Sequence, residues 1–241
     1  MEEASMAPSG DGRGGHSGRG KADERTTVRD LLGEHGRTYA EEAGIRLRDT
    51  PQPLYELLVL SHLLSARIRA ATAVEAARAL FDAGMRDARR MRDATWQQRV
   101  DALGRGGYRR YDERTSTQLG DAAELVLDRY GGDLRRLREE AGGDPDRLRE
   151  LLREVPGIGP AGADIFLREV QGVWPDVAPC LDGKALDGAR RLELPADPGK
   201  LARLVRKEEL PSLAAALVRA ALDRHVVEDV EEAHARHAAQ A

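Results

Sequence analysis

From residue 53 onward, apolar side chains recur at intervals of three and four, the period of an α-helix with one buried face. Leu54, Leu57, Leu58, Leu60, Leu63 and Leu64 predict a strongly apolar, central helix that begins after Pro51 and Pro53. Ala71 to Phe81 continues with small residues suited to close helix packing. Gly104, Gly106 and Gly107 break the pattern as a loop. Leu119, Ala122, Ala123, Val126 and Leu127 then predict a helix over 113–130, stopped by Gly131 and Gly132. Shorter helices are expected near 133–140, 146–154, 162–170 and 183–192, and a terminal one over 212–237, in one piece or two. No alternating apolar and polar run is bounded by hairpin turns. The pattern predicts an all-α fold of two helical lobes with a cleft between them, the middle lobe spanning about 53–170 and the chain's end packing back beside 28–50.

Residues 1–25, rich in Gly, Ser, Arg and Asp, lack large apolar side chains and are expected to form a disordered tail, leaving 26–241 as the folded domain. Arg13, Arg19, Lys21 and Arg25 in that tail are read as solvated charges able to touch phosphate weakly.

Cys180 is the only cysteine, which rules out an internal disulfide and any cluster held by several thiolates of one chain. No apolar run approaches the roughly 20 residues that span a bilayer, and the first residues lack the apolar core of a secretory signal. The expectation is a cytoplasmic protein without a membrane partner. The formal net charge of −4 counts against nucleic acid, but net charge describes the whole surface and not one face. The basic residues other than Lys21, Lys184, Lys200 and Lys207 are all arginines, an excess that nucleotide bias of the source genome also explains.

The candidate chemistry lies in VPGIGPAGAD, residues 155–164, and in PCLDGKALDGARRL, which begins at Pro179. The first reads as helix, tight turn, helix. Pro156 fixes one backbone angle, while Gly157 and Gly159 permit positive φ and place no Cβ in the way of a ligand. Amide N–H groups at the start of the second helix lack intrahelical partners and sit at the positive end of its dipole, so an anion such as a phosphate fits there, whatever the base sequence. The same glycines would also serve a plain helical corner.

VPGIGPAGADIFLREV resembles the helix-hairpin-helix motif of the endonuclease III-type DNA glycosylase superfamily, whose usual form is LPGVGxKTA before an apolar helix. PCLDGKALDGARRL resembles that family's next element, which carries the catalytic aspartate. YELLVLSHLLSAR is similar to its early helix, and LGRGGYRRY stands where the family has a second DNA-contacting loop. The similarity covers most of 50–192. It implies double-stranded DNA containing a lesion or mismatch as partner, a monomer, and Asp182 as the catalytic carboxylate.

By motif position, Gly157, Ile158, Gly159, Ala161 and Gly162 would meet the DNA backbone. The resemblance also implies a monovalent cation, K+ or Na+, on the main-chain carbonyls of Arg153, Val155 and Ile158. Arg67 stands where the family inserts a glutamine into the gap left by a flipped base; a solvated helix arginine is the other reading. Tyr108, Arg109, Arg110 and Tyr111 combine aromatic and basic groups as a strand contact would require, though ordinary packing of the tyrosines explains them too. Lys184 is read as a surface lysine or phosphate contact, and Asp176 and Asp187 as surface carboxylates. His234 and His237 are expected to face solvent.

Two departures limit the transfer. The lysine that strand-cleaving members use for Schiff-base chemistry is replaced by Ala161, which excludes an amine nucleophile at that position. The family's four-cysteine iron–sulfur cluster has no ligands beyond Cys180. What remains is hydrolysis of an N-glycosidic bond by a monofunctional glycosylase without strand cleavage, Asp182 stabilising positive charge on the sugar or orienting a water. An Asp before Gly183 is equally a helix N-cap, and the two roles are compatible. Two alternatives stand beside the enzyme: a non-catalytic protein of the same fold that recognises distorted or branched DNA, and a helical protein-interaction module.

Overall fold

The structure, a computed structural model, describes residues 17–238. Among these the chain forms only α-helices and two 3-10 turns, with no strand. The expected tail meets this structure in part: residues 1–16 lie outside the described residues, whereas 17–25 belong to helix α1, Ser17–His35. Val28 and Leu31 are buried, and α1 packs on the last two helices, α13 (Leu210–Leu222) and α14 (Arg224–Ala238). The late apolar positions of this segment anchor a helix that extends back into glycine-rich sequence.

A short helix α2, Tyr39–Glu42, follows, capped by Thr38 in a capping box with Glu41. Helix α3, Pro51–Leu64, starts at the paired prolines, whose missing N–H groups cost nothing in a first turn. It is buried on nearly every side: Leu54, Leu57, Leu60 and Leu63 are fully covered, each worth about 2 kcal/mol of burial. The polar groups in it have partners: Ser61 Oγ donates to the Leu57 carbonyl at 2.8 Å, and Glu56 accepts from Arg86 at 3.0 Å.

Helix α4 (Ala70–Asp82) packs on α3, and α5 (Ala88–Asp93), α6 (Trp96–Arg105) and α7 (Asp112–Tyr130) complete that side. The buried guanidinium of Arg99 ties them together, donating to the carbonyls of Ser116, Met91 and Ala94 at 2.9, 3.0 and 2.6 Å. Helices α8 (Leu134–Glu140), α9 (Pro145–Glu154) and α10 (Pro160–Val170) lead through the 3-10 turn Pro175–Val177 to α11 (Gly183–Arg191) and α12 (Pro198–Ala202).

Helix α10 touches both α3 and α13 and so joins the middle of the chain to its end. Gly188 lets α11 lie against α13, since a Cβ there would stand 1.8 Å from the Leu217 carbonyl oxygen. The chain's end does return to its beginning: Arg219 donates to the His35 carbonyl and to Glu42, both at 2.9 Å. His234 remains 39% exposed, with its Nε2 3.0 Å from the exposed Asp23 on α1; the side chain of His237 lies outside the described residues. No described helix is long and apolar enough to cross a membrane.

Candidate nucleic-acid interface and active site

The glycine turn forms as the sequence predicts, between α9 and α10, with Asp144 and Pro145 starting the first helix and Pro160 the second. Gly157 sits at φ +83°, in the left-handed region that favours glycine. Its second role was not legible: a Cβ on Gly157 would stand 2.2 Å from the ring of His62, which is buried on α3. The imidazole occupies the space that the absent side chain leaves. Burial lowers the His62 pKa to about 4, with the Gln118 side chain opposing and the charge of Arg114 adding to the shift, so the ring is neutral at physiological pH.

These contacts bring three segments to one place. The hairpin turn, the end of α3 and the first turns of α7 meet around His62. Arg67 and Arg69 follow α3, Arg109 precedes α7, Arg114 lies within it, and Arg153 closes α9; all five are exposed. None of them forms an ion pair with a described carboxylate. Many arginines elsewhere are neutralised locally, as Arg129 is by Glu140 and Glu154, Arg135 by Asp133 and Arg147 by Glu150. The segments that flank the hairpin therefore carry five arginines without a carboxylate partner, in a protein of net charge −4.

At the start of α10 the Ala163 N–H is satisfied by the Gly159 carbonyl at 3.0 Å, and Pro160 has no N–H. The amides of Gly159, Ala161 and Gly162 remain as donors at the positive end of an 11-residue helix. Gly159 and Ala161 are exposed, while Gly162 is buried against Ile158. Of the three carbonyls considered for a cation, that of Val155 accepts from the Ile158 N–H at 3.0 Å and keeps one free lone pair.

Tyr108 corrects the reading of the second loop. It is 2% exposed and its hydroxyl lies 3.2 Å from Thr115 Oγ1, so it is a core residue that anchors the loop and cannot reach a DNA strand. The ring belongs to the hydrophobic core, and the exposed arginines of the loop are Arg109 and Arg110, the latter over the Tyr111 ring. Lys184 is exposed, with Asp187 at 3.5 Å. Asp176 is bound by Arg138.

Asp182 is the N-cap of α11, its Oδ1 accepting from the Ala185 N–H at 3.0 Å. Its Oδ2 accepts from Nη1 of Arg168 at 2.6 Å, and the two side chains are only 11% and 8% exposed. Arg168 was not among the residues that the motif singles out. The signal was the pair Arg168-Glu169 inside the apolar run of α10: a charge there must be paired or exposed. Glu169 is paired by backbone, accepting from the Tyr39 and Ala40 N–H groups at 3.1 and 3.0 Å; burial raises its pKa, against those two bonds.

Beside Asp182, the Cys180 thiol is buried and its pKa is pushed up to about 11, chiefly by burial, with Arg149 opposing and the Asp182 charge adding. Gln171 holds the Cys180 backbone from both sides, its Oε1 accepting at 2.9 Å and its Nε2 donating at 3.0 Å. Arg149 in turn binds Asp164 at 3.0 Å. Gly159 at the head of α10 and Arg168 near its end are about 13 Å apart along the axis at 1.5 Å per residue. One helix therefore carries both the anion-binding turn and the arginine that grips Asp182.

Away from this site, Glu34, His35 and Asp229 place one potential ligand atom each within 4.8 Å of one another. His35 Nε2 lies 3.1 Å from Asp229, and Arg236 stands 3.7 Å from Glu34.

No protein-family model matches the chain, and no curated protein matches it. Among solved structures, it is similar to a trapped endonuclease III–DNA covalent intermediate with an estranged adenine, at a TM-score of 0.51 and 17% identity, covering 85% of this chain and 86% of that one. It is likewise similar to a non-covalent endonuclease III–DNA complex, at a TM-score of 0.52 and 16% identity, covering 83% and 84%. At such identities the likeness establishes the fold, two helical lobes with a helix-hairpin-helix, and leaves the chemistry to the residues.

Proposed function

We propose that this protein is a monofunctional DNA glycosylase, which holds duplex DNA at the mouth of the hairpin and hydrolyses the N-glycosidic bond of a flipped, damaged or mismatched base. The observation that carries the reading is the placement on α10: free amides and unpaired arginines at one end, Asp182 held near the other. A phosphate would accept from the Ala161 and Gly159 amides. The separation of about 13 Å along α10 corresponds to roughly four base steps of 3.4 Å, within reach of a nucleotide turned out of the same duplex. A potassium or sodium ion on the carbonyls of Arg153, Val155 and Ile158 would add positive charge at the same place.

In the reaction, the bond from the sugar C1′ to the base nitrogen breaks and its electrons leave with the base. Positive charge grows on the sugar facing Asp182, water adds to C1′, and the carboxylate takes the proton. Ala161 offers no amine, so the strand should stay intact until alkali cleaves the abasic site. The same fold supports a second reading, which one observation favours: both oxygens of Asp182 are engaged, one by an arginine, as in a protein that binds distorted DNA without turnover. Base release from lesion-bearing duplexes by the native protein and by Asp182→Asn, with and without alkali, separates the two.

A further inference from the structure

Among the described residues, Trp96 and Leu222 are the large apolar side chains left exposed, and Trp96 is 41% exposed. It stands at the first position of α6, next to the Thr95–Gln98 capping box. Its indole Nε1 donates to Thr117 Oγ1 on α7 at 3.2 Å, and its carbonyl accepts from Ser116 Oγ at 2.9 Å. The ring is thus pinned and its one donor is used. What it turns to solvent is aromatic carbon, ordered before any ligand arrives. The exposed residues beside it in the chain, Thr95, Gln97 and Gln98, are polar, so the ring is a single platform and not the centre of an apolar protein interface.

Its position ties it to the hairpin. Thr117 lies on the exposed side of α7, and Arg114 is exposed one turn earlier, where side chains three apart are about 5–6 Å from each other. The next residue, Gln118, hydrogen-bonds His62, whose imidazole packs against Gly157. Trp96 and His62 therefore touch α7 at consecutive positions and stand within one helix width of each other, about 10–12 Å. That span is about three stacked nucleotides at 3.4 Å each. Glu113, exposed on the same turns of α7, offsets the charge of Arg114, so the ring is what this surface chiefly offers a nucleic acid.

A paired base inside a duplex has both faces covered by its neighbours. A protein ring on the surface stacks only on a base that is unpaired or at a strand's end. We infer that Trp96 is a stacking platform for an unpaired base, and that the DNA held at the hairpin carries a single-stranded stretch that passes along the first turns of α7; this rests on the DNA binding proposed above. Arg114 would meet the phosphate beside that base.

The chain has two tryptophans, and Trp174 is fully buried, so a change in intrinsic fluorescence on binding reads Trp96 while Trp174 reports the fold. The test titrates the full-length protein with a blunt duplex and with the same duplex extended by unpaired thymines, following tryptophan emission and the anisotropy of a dye on the DNA. The extended DNA should quench the native emission and bind more tightly than the blunt duplex. Trp96→Leu should lose about tenfold in affinity for the extended DNA and none for the blunt one, whereas Trp96→Phe, which keeps a ring, should retain the preference. Native emission that the extended DNA leaves unquenched, or a preference that Trp96→Leu leaves unchanged, overturns the inference and leaves DNA binding standing. Binding to neither DNA overturns both.

Discussion

The imidazole of His62 fills the place where a side chain on Gly157 would stand, 2.2 Å from the Cβ such a residue would carry. This contact locks the hairpin turn to the central helix, so packing alone demands the glycine.

Gly157→Ala should therefore destabilise the fold even without DNA. The positive φ costs about 1–2 kcal/mol and forcing the buried ring aside about 1–3 more. Denaturant unfolding should give a loss of about 3 kcal/mol, whereas Gly159→Ala, whose Cβ would meet nothing within 4 Å, should lose little.

His62 also sets a pH dependence. Its pKa is lowered from 6.5 to about 4 in the folded protein, so between those values the unfolded chain binds a proton that the folded chain refuses. Stability is fully present above pH 6.5 and falls as the pH drops toward 4, by up to about 3 kcal/mol. Unfolding midpoints measured across this window should decline more steeply for the native protein than for His62→Gln.

The buried pair Arg168–Asp182 should behave as a unit. Asp182→Ala strands a buried guanidinium and removes the cap of α11, and should cost about 3–5 kcal/mol. Arg168→Met should cost less alone, and the double variant less than the sum; a double-mutant cycle on unfolding free energies reads the coupling, which should exceed about 1 kcal/mol.

DNA binding should depend on the unpaired arginines at the mouth. Arg67→Ala, Arg109→Ala and Arg153→Ala should each weaken binding to duplexes of any sequence and lower the salt slope by about 1. Arg147→Ala, already neutralised by Glu150 at 2.8 Å, should leave the slope unchanged in the same titration.

Much of this was legible in the chain. The leucines of α3 and the glycine stops of α7 fixed helices because they are local signals, and the cap at Asp182 needs only the residues that follow it. Helices α5 and α6 were harder, since α6 gains its stability from Arg99 reaching carbonyls on two neighbours, a tertiary cause. Tyr108 was misread because a tyrosine among glycines and arginines looks exposed, while its place is decided by Thr115 one turn into the next helix. The grip of Arg168 on Asp182 spans a loop between two helices, and no spacing rule gives the distance between side chains on such elements. His62 against Gly157 joins positions far apart in sequence, and only the packing of α3 on α10 reveals it.

The most direct test of the account is release of free base from lesion-bearing duplexes by the native protein beside Asp182→Asn, with strand breaks scored before and after alkali. The account predicts base release that needs Asp182, and breaks that appear only after alkali. Rapid breaks without alkali, or release that persists undiminished in Asp182→Asn, would contradict it.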